Sequence, residues 1–308
     1  MSPAQSPVVC VIVTRDRAEL LQRCLHAVEG QERRPDHLVV VDNGADPATQ
    51  TLVEACQLTT TYLPSHTNLG GAGGFAYGVL AARALGAQWV WLADDDGRPG
   101  DRYTLGRLLT CAAEHQLDVV SPLVLDEEQP HLLAFPLRRG LTWVRERAQL
   151  GADVLVPSAA NLFNGALFST RALDAVGVPD PRLFIRGDEV EIHRRLRRSG
   201  LAFGTCALAT YLHPQGNRDW KPLLGGRLQV LMPLDEARRD VTFRNLGYLT
   251  AQPGLRWRRW PDAVRYAWYY LAQQHDRAGF AQWRRMSRLG RQERFGEQPA
   301  RNQDHRIH

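Results

Sequence analysis

The chain has 308 residues, of which 44% are hydrophobic and 23% charged, so it is long and apolar enough to bury a sizeable core. Its net charge of +5 is a mild bias, unlike the dense positive field of a protein that wraps nucleic acid. The only lysine, Lys221, precedes a proline, so the chain has no Gly-Lys-Ser/Thr phosphate loop, and kinase-like and pyridoxal chemistries are disfavoured.

Strand and helix patterns alternate along the first 125 residues. Apolar and β-branched runs predict strands at Val8–Val13, Leu38–Val41, Thr60–Leu63, Trp89–Ala93 and Val119–Leu125. Helical spacing of apolar residues between these runs predicts helices over 20–28, 51–56, 75–85 and 105–109. The alternation predicts an α/β fold with an open, mostly parallel sheet flanked by helices, in which ligands bind beyond the carboxyl ends of the strands.

The middle of the chain is less regular. Residues 126–157 carry scattered prolines and glycines, which predict a mobile loop or a short hairpin. Order returns at Asn161–Phe168, in a helix after Gly187 and in a last strand near Ala207–Leu212.

From about Leu255 the composition changes, because arginines are interleaved with tryptophans and tyrosines. This change predicts a basic, aromatic helical extension over residues 251–308 that ends in a disordered tail. We expect a catalytic domain over residues 1–250 before it, with a nucleotide-binding half at about 1–125 and an acceptor half at about 126–250.

One helical face of this extension collects apolar side chains, namely Ala263, Val264, Ala267, Trp268 and Leu271. Arginines beside aromatic rings suit the headgroup region of a membrane, but the same face could equally pack onto the main domain. The mixture also resembles a platform for single-stranded nucleic acid, and the acidic strand ends described below argue against that interpretation.

The five cysteines are far apart and include no Cys-x-x-Cys pair, which favours a reducing compartment. Cys10 and Cys24 fall at apolar-periodic positions and are predicted to be small buried hydrophobes. The run Val8–Val13 is too short for the core of a signal peptide, and no segment approaches the roughly 18–20 apolar residues of a membrane-spanning helix. We therefore expect a protein that is soluble or lies on a membrane surface.

Three consecutive carboxylates, Asp94, Asp95 and Asp96, come directly after a buried strand. They repel one another, and a divalent cation that bridges a diphosphate would relieve the repulsion through oxygen ligands. One carboxylate can then hold a ribose hydroxyl while another binds the metal. An acidic surface turn is the alternative, but acidic clusters at sheet ends cost stability unless they are used.

Other polar residues are predicted at the same edge of the sheet. Thr14-Arg15 and Asp42-Asn43 end the first two strands and could hydrogen-bond a base and ribose, although Asp-Asn-Gly is also an ordinary turn. The segment 68–74, which contains Asn68, Gly70 and Gly71, precedes a predicted helix, whose N-terminus favours an anion. A flexible turn would explain the same glycines.

Two further sites could complete an enzyme. Asp188 and Glu191 have the spacing of a capping box, so Glu189 is the predicted general base toward a hydroxyl acceptor, with Asp188 as the alternative. His213 ends the last predicted strand, where its imidazole could complete a metal site or serve as a structural hydrogen-bonding group.

Taken together, the motifs resemble the family 2 glycosyltransferases, which have the GT-A fold. The matching segments are 11–15 (VIVTR), 39–43 (VVVDN), 68–75 (NLGGAGGF), 91–97 (WLADDDG) and 184–191 (FIRGDEVE). Segments 133–140 (LAFPLRRG) and 163–168 (FNGALF) make the likeness closest to the galactofuranosyltransferases that initiate cell-wall galactan. The similarity extends from about Val8 to Phe295.

The resemblance implies an inverting transfer from UDP-galactofuranose, with Mn²⁺ or Mg²⁺ bridging the diphosphate. The acceptor would be a polyprenyl-diphosphate-linked rhamnosyl-N-acetylglucosamine, which receives the first one or two galactofuranosyl residues. Such an enzyme would lie on the inner face of the cell membrane. A rhamnosyltransferase, another family 2 transferase, a sugar nucleotidyltransferase and a nucleotide-sugar-binding regulator are the alternatives.

The resemblance also assigns roles to individual residues. Asp94 would contact the ribose with Asp95 beside it, while Asp96 and His213 would hold the metal. Glu189 aligns with the base, but the family more often has Asp there, which keeps Asp188 open. The matching motifs add three residues to the substrate-binding set, namely Asn164, Gly165 and Arg186.

Overall fold

The computed structural model describes residues 6–140, 142–215 and 219–296. These residues form two compact units. The first contains residues 6–181 and 192–215, and the second contains residues 182–191 and 219–296.

The first unit is built on an eleven-stranded sheet. The strands are β1 Val8–Thr14, β2 His37–Asp42, β3 Thr60–Pro64, β4 Trp89–Asp94, β5 Arg98–Pro99, β6 Val119–Asp126, β7 Leu132–Arg139, β8 Thr142–Glu146, β9 Leu155–Pro157, β10 Ala166–Ser169 and β11 Phe203–His213. The main path of the sheet runs in the order β3-β2-β1-β4-β10-β6-β11-β5, with β7 and β8 attached beside β6 and β9 beside β11.

Helices cover both faces of this sheet, which confirms the predicted α/β fold. One apolar cluster packs the strands against the first and fourth helices, and a second cluster packs them against the third, fifth and sixth. These helices are α1 Ala18–Glu29, α2 Pro47–Glu54, α3 Gly70–Ala84, α4 Thr104–Glu114, α5 Thr170–Val176 and α6 Asp188–Ser199, the last of which begins in the second unit. Cys10 and Cys24 are buried in the first cluster, as predicted.

Parallel pairing brings the polar strand ends to one edge. β1 pairs with β2 on one side and β4 on the other, so Thr14 lies opposite Asp42 and Val13 opposite Asp94. All seven residues of β1 are buried, because the strand has neighbours on both edges and helices on both faces. The predicted convergence of Thr14, Asp42 and Asp94 is therefore confirmed.

Residues 126–157 contain the hairpin that was one of the two predicted alternatives. β7 and β8 pair in antiparallel fashion, and a short 3₁₀ helix at Arg147–Leu150 leads to β9. The segment is ordered because apolar side chains spaced along it, including Leu133, Leu137, Val144 and Leu150, bury into a third cluster.

Within its described residues, the second unit contains a β-hairpin and three complete α-helices, besides the start of α6. Its elements are β12 Trp220–Leu223, β13 Leu228–Leu231, α7 Glu236–Leu249, α8 Arg259–Ala267, a π-helical turn at Trp268–Gln273 and α9 Arg277–Arg291. Residue 250, the predicted domain boundary, falls inside this unit, because the side chains of β12, β13 and α7 share one apolar cluster with Tyr266, Tyr270 and Trp283. The tail after residue 296 lies outside the described residues.

Close helix packing defines this second unit. A side chain on Gly290 of α9 would overlap the carbonyl oxygen of Arg244 in α7, and one on Gly247 would overlap that of Ser287. Glycine at these positions lets the two helix backbones touch, which fixes α7 firmly against α9.

Among the described helices, none combines the length and apolar character that a membrane crossing requires.

Candidate active site

The three consecutive carboxylates lie at the end of β4. Asp94, Asp95 and Asp96 each offer an oxygen within 4.8 Å of the others. Loss of water, together with the charges of Asp96 and Asp95, raises the pKa of Asp94 well above its usual value. A group of this kind is stable only when cations or protons compensate its charge.

Asp95 is the most buried of the three and is fully engaged within the protein. Its Oδ2 accepts a hydrogen bond from the hydroxyl of Thr14 at 2.8 Å, and its Oδ1 accepts one from Nη1 of Arg17 at 3.0 Å. Burial raises the pKa of Asp95, and Arg17 and Thr14 only partly offset that rise. Asp95 and Thr14 thus bind each other and join the ends of β1 and β4, so their contact with a nucleotide stays a prediction.

Arg17 is a site residue that sequence reasoning missed. Besides its bond to Asp95, its Nη1 lies 3.4 Å from Oδ2 of Asp96, so one guanidinium neutralises part of two carboxylates. Its neighbour Arg15, which was predicted at this edge, is exposed and pairs with Asp16 at 3.4 Å. The only sequence signal for Arg17 is its position three residues after Thr14, just beyond a strand end.

His213, the last residue of β11, faces Asp96. Its Nε2 lies 3.0 Å from Oδ1 of Asp96. Its Nδ1 lies 2.6 Å from the carbonyl oxygen of Pro214, and since a carbonyl only accepts, this nitrogen carries the proton. In the neutral ring Nε2 therefore presents a lone pair to a carboxylate oxygen. The two atoms can coexist at this distance only with a proton or a metal cation between them.

The pKa shifts of the two groups agree with this geometry. Burial disfavours a charged His213, but contact with Asp96 outweighs burial and raises its pKa. Burial likewise disfavours a charged Asp96, while its bond to His213 lowers its pKa. Without a cation, the proton shared by the pair is thus held more tightly than on a free imidazole.

The residues at this position fit a divalent cation. Oδ1 of Asp96 is buried and has no well-aligned hydrogen-bond donor among the described residues, although Nε2 of His213 is close to it. A carboxylate oxygen and an imidazole nitrogen are ligands that Mn²⁺ accepts readily, and Mg²⁺ binds the carboxylate oxygen. The orphaned oxygen and the lone pair beside it are what such an ion would satisfy.

Asp42 and Asn43 have separate roles at the end of β2. Asp42 is fully buried and accepts hydrogen bonds from the backbone N–H groups of Gly44 (2.9 Å) and Asp46 (2.8 Å) and from the hydroxyl of Tyr62 (2.8 Å). The turn interpretation therefore accounts for Asp42. Asn43 donates to the carbonyl oxygen of Gly70 at 3.1 Å, and its own Oδ1 is buried without a partner among the described residues.

The glycine-rich segment is part of α3, whereas the sequence predicted a loop before a helix that starts near residue 75. The side-chain oxygen of Asn68 accepts from the N–H of Gly70 at 2.9 Å, and Gly70 has a φ of 69°, which favours glycine. Gly74 and Gly78 serve packing, because a Cβ there would lie 2.5 and 2.3 Å from valine methyl groups of β1. A Cβ on Gly71 would meet no atom within 4 Å, so this position leaves space beside the helix N-terminus.

Asn164 and Gly165 lie in the turn that enters β10. Gly165 has a φ of 80°, and a Cβ there would lie 2.5 Å from the ring of Tyr211. Its carbonyl oxygen accepts from the indole N–H of Trp91 at 2.8 Å, and Asn164 is buried beside it. Packing explains why glycine is needed here, and the substrate role of both residues stays a prediction.

The two carboxylates proposed as a base lie in the second unit. Asp188 is the first residue of α6, and the N–H of Glu191 donates to the carbonyl oxygen of Gly187 at 2.9 Å. A capping box with Asp188 as its N-cap requires a helix that begins at Glu189. The observed helix begins one residue earlier, at Asp188 itself. Burial raises the pKa of Asp188 to about 6, against the opposing effect of backbone hydrogen bonds. Glu189 is half-buried.

Arg186, which was predicted to bind substrate, is exposed and forms an ion pair with Asp219 of the same unit. Its φ of 65° lies in the left-handed region, which is unusual for a residue with a side chain. The structure therefore gives Arg186 a local partner, and its contact with substrate stays a prediction.

Comparison with known proteins is consistent with this geometry. Residues 9–161 match the family described as Glycosyl transferase family 2. The chain is 56% identical to a protein of Mycolicibacterium smegmatis named galactofuranosyltransferase GlfT1, over 94% of this chain and 98% of that protein. It is 50% identical to the protein of the same name from Mycobacterium tuberculosis, over 94% and 97%. A mannosyltransferase from Pyrobaculum calidifontis, solved with GDP-mannose and Mn²⁺, has a similar fold, with a TM-score of 0.53, 14% identity and coverage of 92% and 75%.

Replacing His213 by alanine should weaken Mn²⁺ binding by about tenfold or more, because it removes the nitrogen that faces Asp96. The dissociation constant can be measured by electron paramagnetic resonance of free Mn²⁺, without any sugar donor. His37→Ala is the matched control, since His37 stands at the opposite end of β2 and contacts Thr61. Equal affinity in the two variants would remove His213 from the metal site.

Proposed function

This chain belongs to glycosyl transferase family 2 and is a glycosyltransferase with the GT-A fold, and on that basis we propose that it transfers galactofuranose from UDP-galactofuranose. The proposed acceptor is a polyprenyl-diphosphate-linked rhamnosyl-N-acetylglucosamine, to which the first one or two galactofuranosyl residues of cell-wall galactan are added. The observation that supports this choice of donor is the 56% identity, over nearly the whole of both chains, to a protein named galactofuranosyltransferase.

Asp96 and His213 are the proposed ligands of Mn²⁺ or Mg²⁺, which when bound would stabilise negative charge on the diphosphate. Asp95 is already bound to Thr14 and Arg17, so Asp94 is the carboxylate left to accept a ribose hydroxyl. Oδ1 of Asn43, which has no hydrogen-bond partner in the described part of the chain, is a second acceptor at the same edge of the sheet. Arg17 balances the charge of Asp95 and Asp96.

The proposed reaction is a single displacement with inversion. The acceptor hydroxyl oxygen bonds to the anomeric carbon as the bond from that carbon to UDP breaks, and the hydroxyl proton passes to a carboxylate. Glu189 is the proposed base and Asp188 its rival. The two differ in environment, because Asp188 is buried with a pKa near 6 whereas Glu189 is half-buried. An α-linked donor would give a β-linked product.

We propose that the second unit binds the inner face of the cell membrane. Residues 251–296 contain ten arginines and only three acidic residues, so they carry more positive charge than the chain as a whole. Trp257, Trp260 and Val264 are 68%, 73% and 66% exposed. On the predicted apolar face, Ala263 packs inward, while Val264 and Trp268 remain exposed. Exposed indoles among arginines suit an anionic, amphipathic surface, and a lipid-linked acceptor resides on one.

Incubation with UDP-galactofuranose and a synthetic lipid-diphospho-disaccharide should add one or two hexose units, as read by mass spectrometry. Addition should require Mn²⁺ or Mg²⁺ and stop with EDTA. Transfer of rhamnose from a nucleotide-rhamnose donor, with none of galactofuranose, would disprove the donor while retaining the family. Release of pyrophosphate would instead indicate a nucleotidyltransferase, and UDP binding without turnover a regulator.

Glu189→Gln should lower kcat by a factor on the order of 10² to 10⁴, which is the usual contribution of a general base. Asp188→Asn should lower it less, since that carboxylate is largely enclosed. The pH profile of kcat/KM discriminates further. A base works deprotonated, so a profile governed by Asp188 would be flat above about pH 6 and fall below it. If kcat/KM of the unaltered enzyme falls below about pH 6 and Asp188→Asn is inactive, Asp188 is the base.

Changing Trp257 and Trp260 together to serine should weaken binding to phosphatidylglycerol vesicles by about tenfold or more, because each buried indole contributes roughly 1 kcal/mol or more. Sedimentation with vesicles measures the effect, and phosphatidylcholine vesicles test the role of charge. Trp143→Ser is the matched control, since Trp143 is 56% exposed in the first unit. An equal loss in both variants would contradict the proposed surface.

A further inference from the structure

The segment that leads to the proposed base has an unusual backbone. Phe184, Arg186 and Gly187 have φ values of 63°, 65° and 92°, so three of the four residues before Asp188 are left-handed. For residues with a side chain this conformation is sterically unfavourable, and it persists only where surrounding contacts over-determine it. The contacts that hold residues 182–187 should therefore be identifiable.

One side-chain amide supplies three of those contacts. Asn245 of α7 is 1% exposed, and its Nδ2 lies 2.7, 2.9 and 2.7 Å from the carbonyl oxygens of Leu183, Ile185 and Arg186. An amide nitrogen has two hydrogens, so three converging carbonyls use its full donor capacity. Three carbonyl groups of the segment thus converge on one buried donor group.

A buried arginine fixes the orientation of that amide. Nε and Nη2 of Arg244 donate to Oδ1 of Asn245 at 3.1 and 3.0 Å, so the amide oxygen points to the arginine and the nitrogen to the segment. Nη2 of Arg244 also donates to the carbonyl oxygen of Arg182 at 3.2 Å. Burial lowers the pKa of Arg244 to about 10, so the guanidinium remains protonated at neutral pH.

The position of α7 makes the arrangement rigid. α7 is packed backbone to backbone against α9 through Gly247 and Gly290, and Nη1 of Arg244 reaches the carbonyl oxygen of Phe295 at 3.4 Å. The guanidinium also lies 4.9 Å from the centre of the Phe295 ring. A shift of the Asn245 amide would break its hydrogen bonds to Arg244 and to the segment. Residues 182–187 are therefore held in place by the packed pair of helices α7 and α9.

We propose that Arg244 and Asn245 are positioning residues for the transfer reaction, which hold residues 182–187 in the strained backbone that presents Asp188 and Glu189. The proposal rests on the proposed function, because it assigns the base to this segment. Neither residue needs to touch substrate. A competing view is that the pair only stabilises the second unit, and the two views differ in which measurement changes.

Asn245→Asp is the sharpest variant. The carboxylate keeps the size of the amide and gives Arg244 an ionic partner, but it replaces the donor to three carbonyls with an acceptor. We expect a folded protein whose kcat falls by a factor on the order of 10², the loss expected from a displacement of about 1 Å at a catalytic group. The affinity for UDP and Mn²⁺, measured by calorimetry, should not change. Hydrogen exchange of the amides in peptide 182–191 should accelerate.

Gln282→Ala is the matched control, because Gln282 of α9 donates to Asp240 of α7 at 2.7 Å and so loses an amide hydrogen bond between the same two helices. It should keep kcat and the exchange rate of peptide 182–191. Asn245→Ala serves as a second variant if Asn245→Asp does not fold. The exchange measurement requires no sugar donor, so it separates a failure of this proposal from a failure of the assigned donor.

The proposal is overturned if folded Asn245→Asp keeps kcat within twofold, or if peptide 182–191 exchanges no faster. It is also overturned if Gln282→Ala matches Asn245→Asp in both kcat and exchange, since the role would then be general stability. Slower turnover and faster local exchange in Asn245→Asp alone, at constant UDP affinity, establish positioning.

Discussion

Three carboxylates lie side by side at the end of a strand that is buried on both faces. The surrounding residues offset part of the repulsion between them. Thr14 and Arg17 donate hydrogen bonds to Asp95, and Arg17 and His213 form ion pairs with Asp96. Even so, the pKa of Asp94 stays far above normal, so compensation within the protein is incomplete. A divalent cation could take the place of the proton that Asp94 retains, which is why the cluster is better explained as a site than as a turn.

Sheet topology determines which partners are available to this cluster. β4 is neighboured by β1, so Thr14 and Arg17 follow from the adjacent strand end. His213 arrives from a different part of the sheet, because β5, which directly follows the three aspartates, pairs with the end of β11. A register shift between Cys206 and Thr210 in β11 precedes that pairing. The proposed metal ligands Asp96 and His213 are thus brought together by a two-residue strand and an irregularity in β11.

The sequence allowed the strands and their polar ends to be predicted because buried parallel strands have a distinct apolar pattern and their ends must share one edge. It did not reveal what each polar residue does. Asp42 stabilises a turn, and Arg17 contacts two carboxylates. Gly74 and Gly78 allow α3 to pack closely against β1. These roles are set by contacts between distant segments, which leave no local pattern. Asn245 is the clearest case, since its three partners lie about 60 residues earlier in the chain.

The second unit combines features that the proposed transfer to a lipid-linked sugar would require. It contains Asp188 and Glu189, the amide that holds the segment before them, and an exposed group of tryptophans among arginines. All three features involve elements of one compact unit, with α7 packed tightly against α9 and sharing one apolar cluster with the aromatic residues of α8. A carboxylate that takes a proton from an acceptor must be held to within a fraction of an ångström, whereas a surface that binds lipid needs only exposed area and charge. A rigid helical core with a strained, well-anchored segment and an unburied aromatic group satisfies both demands at once.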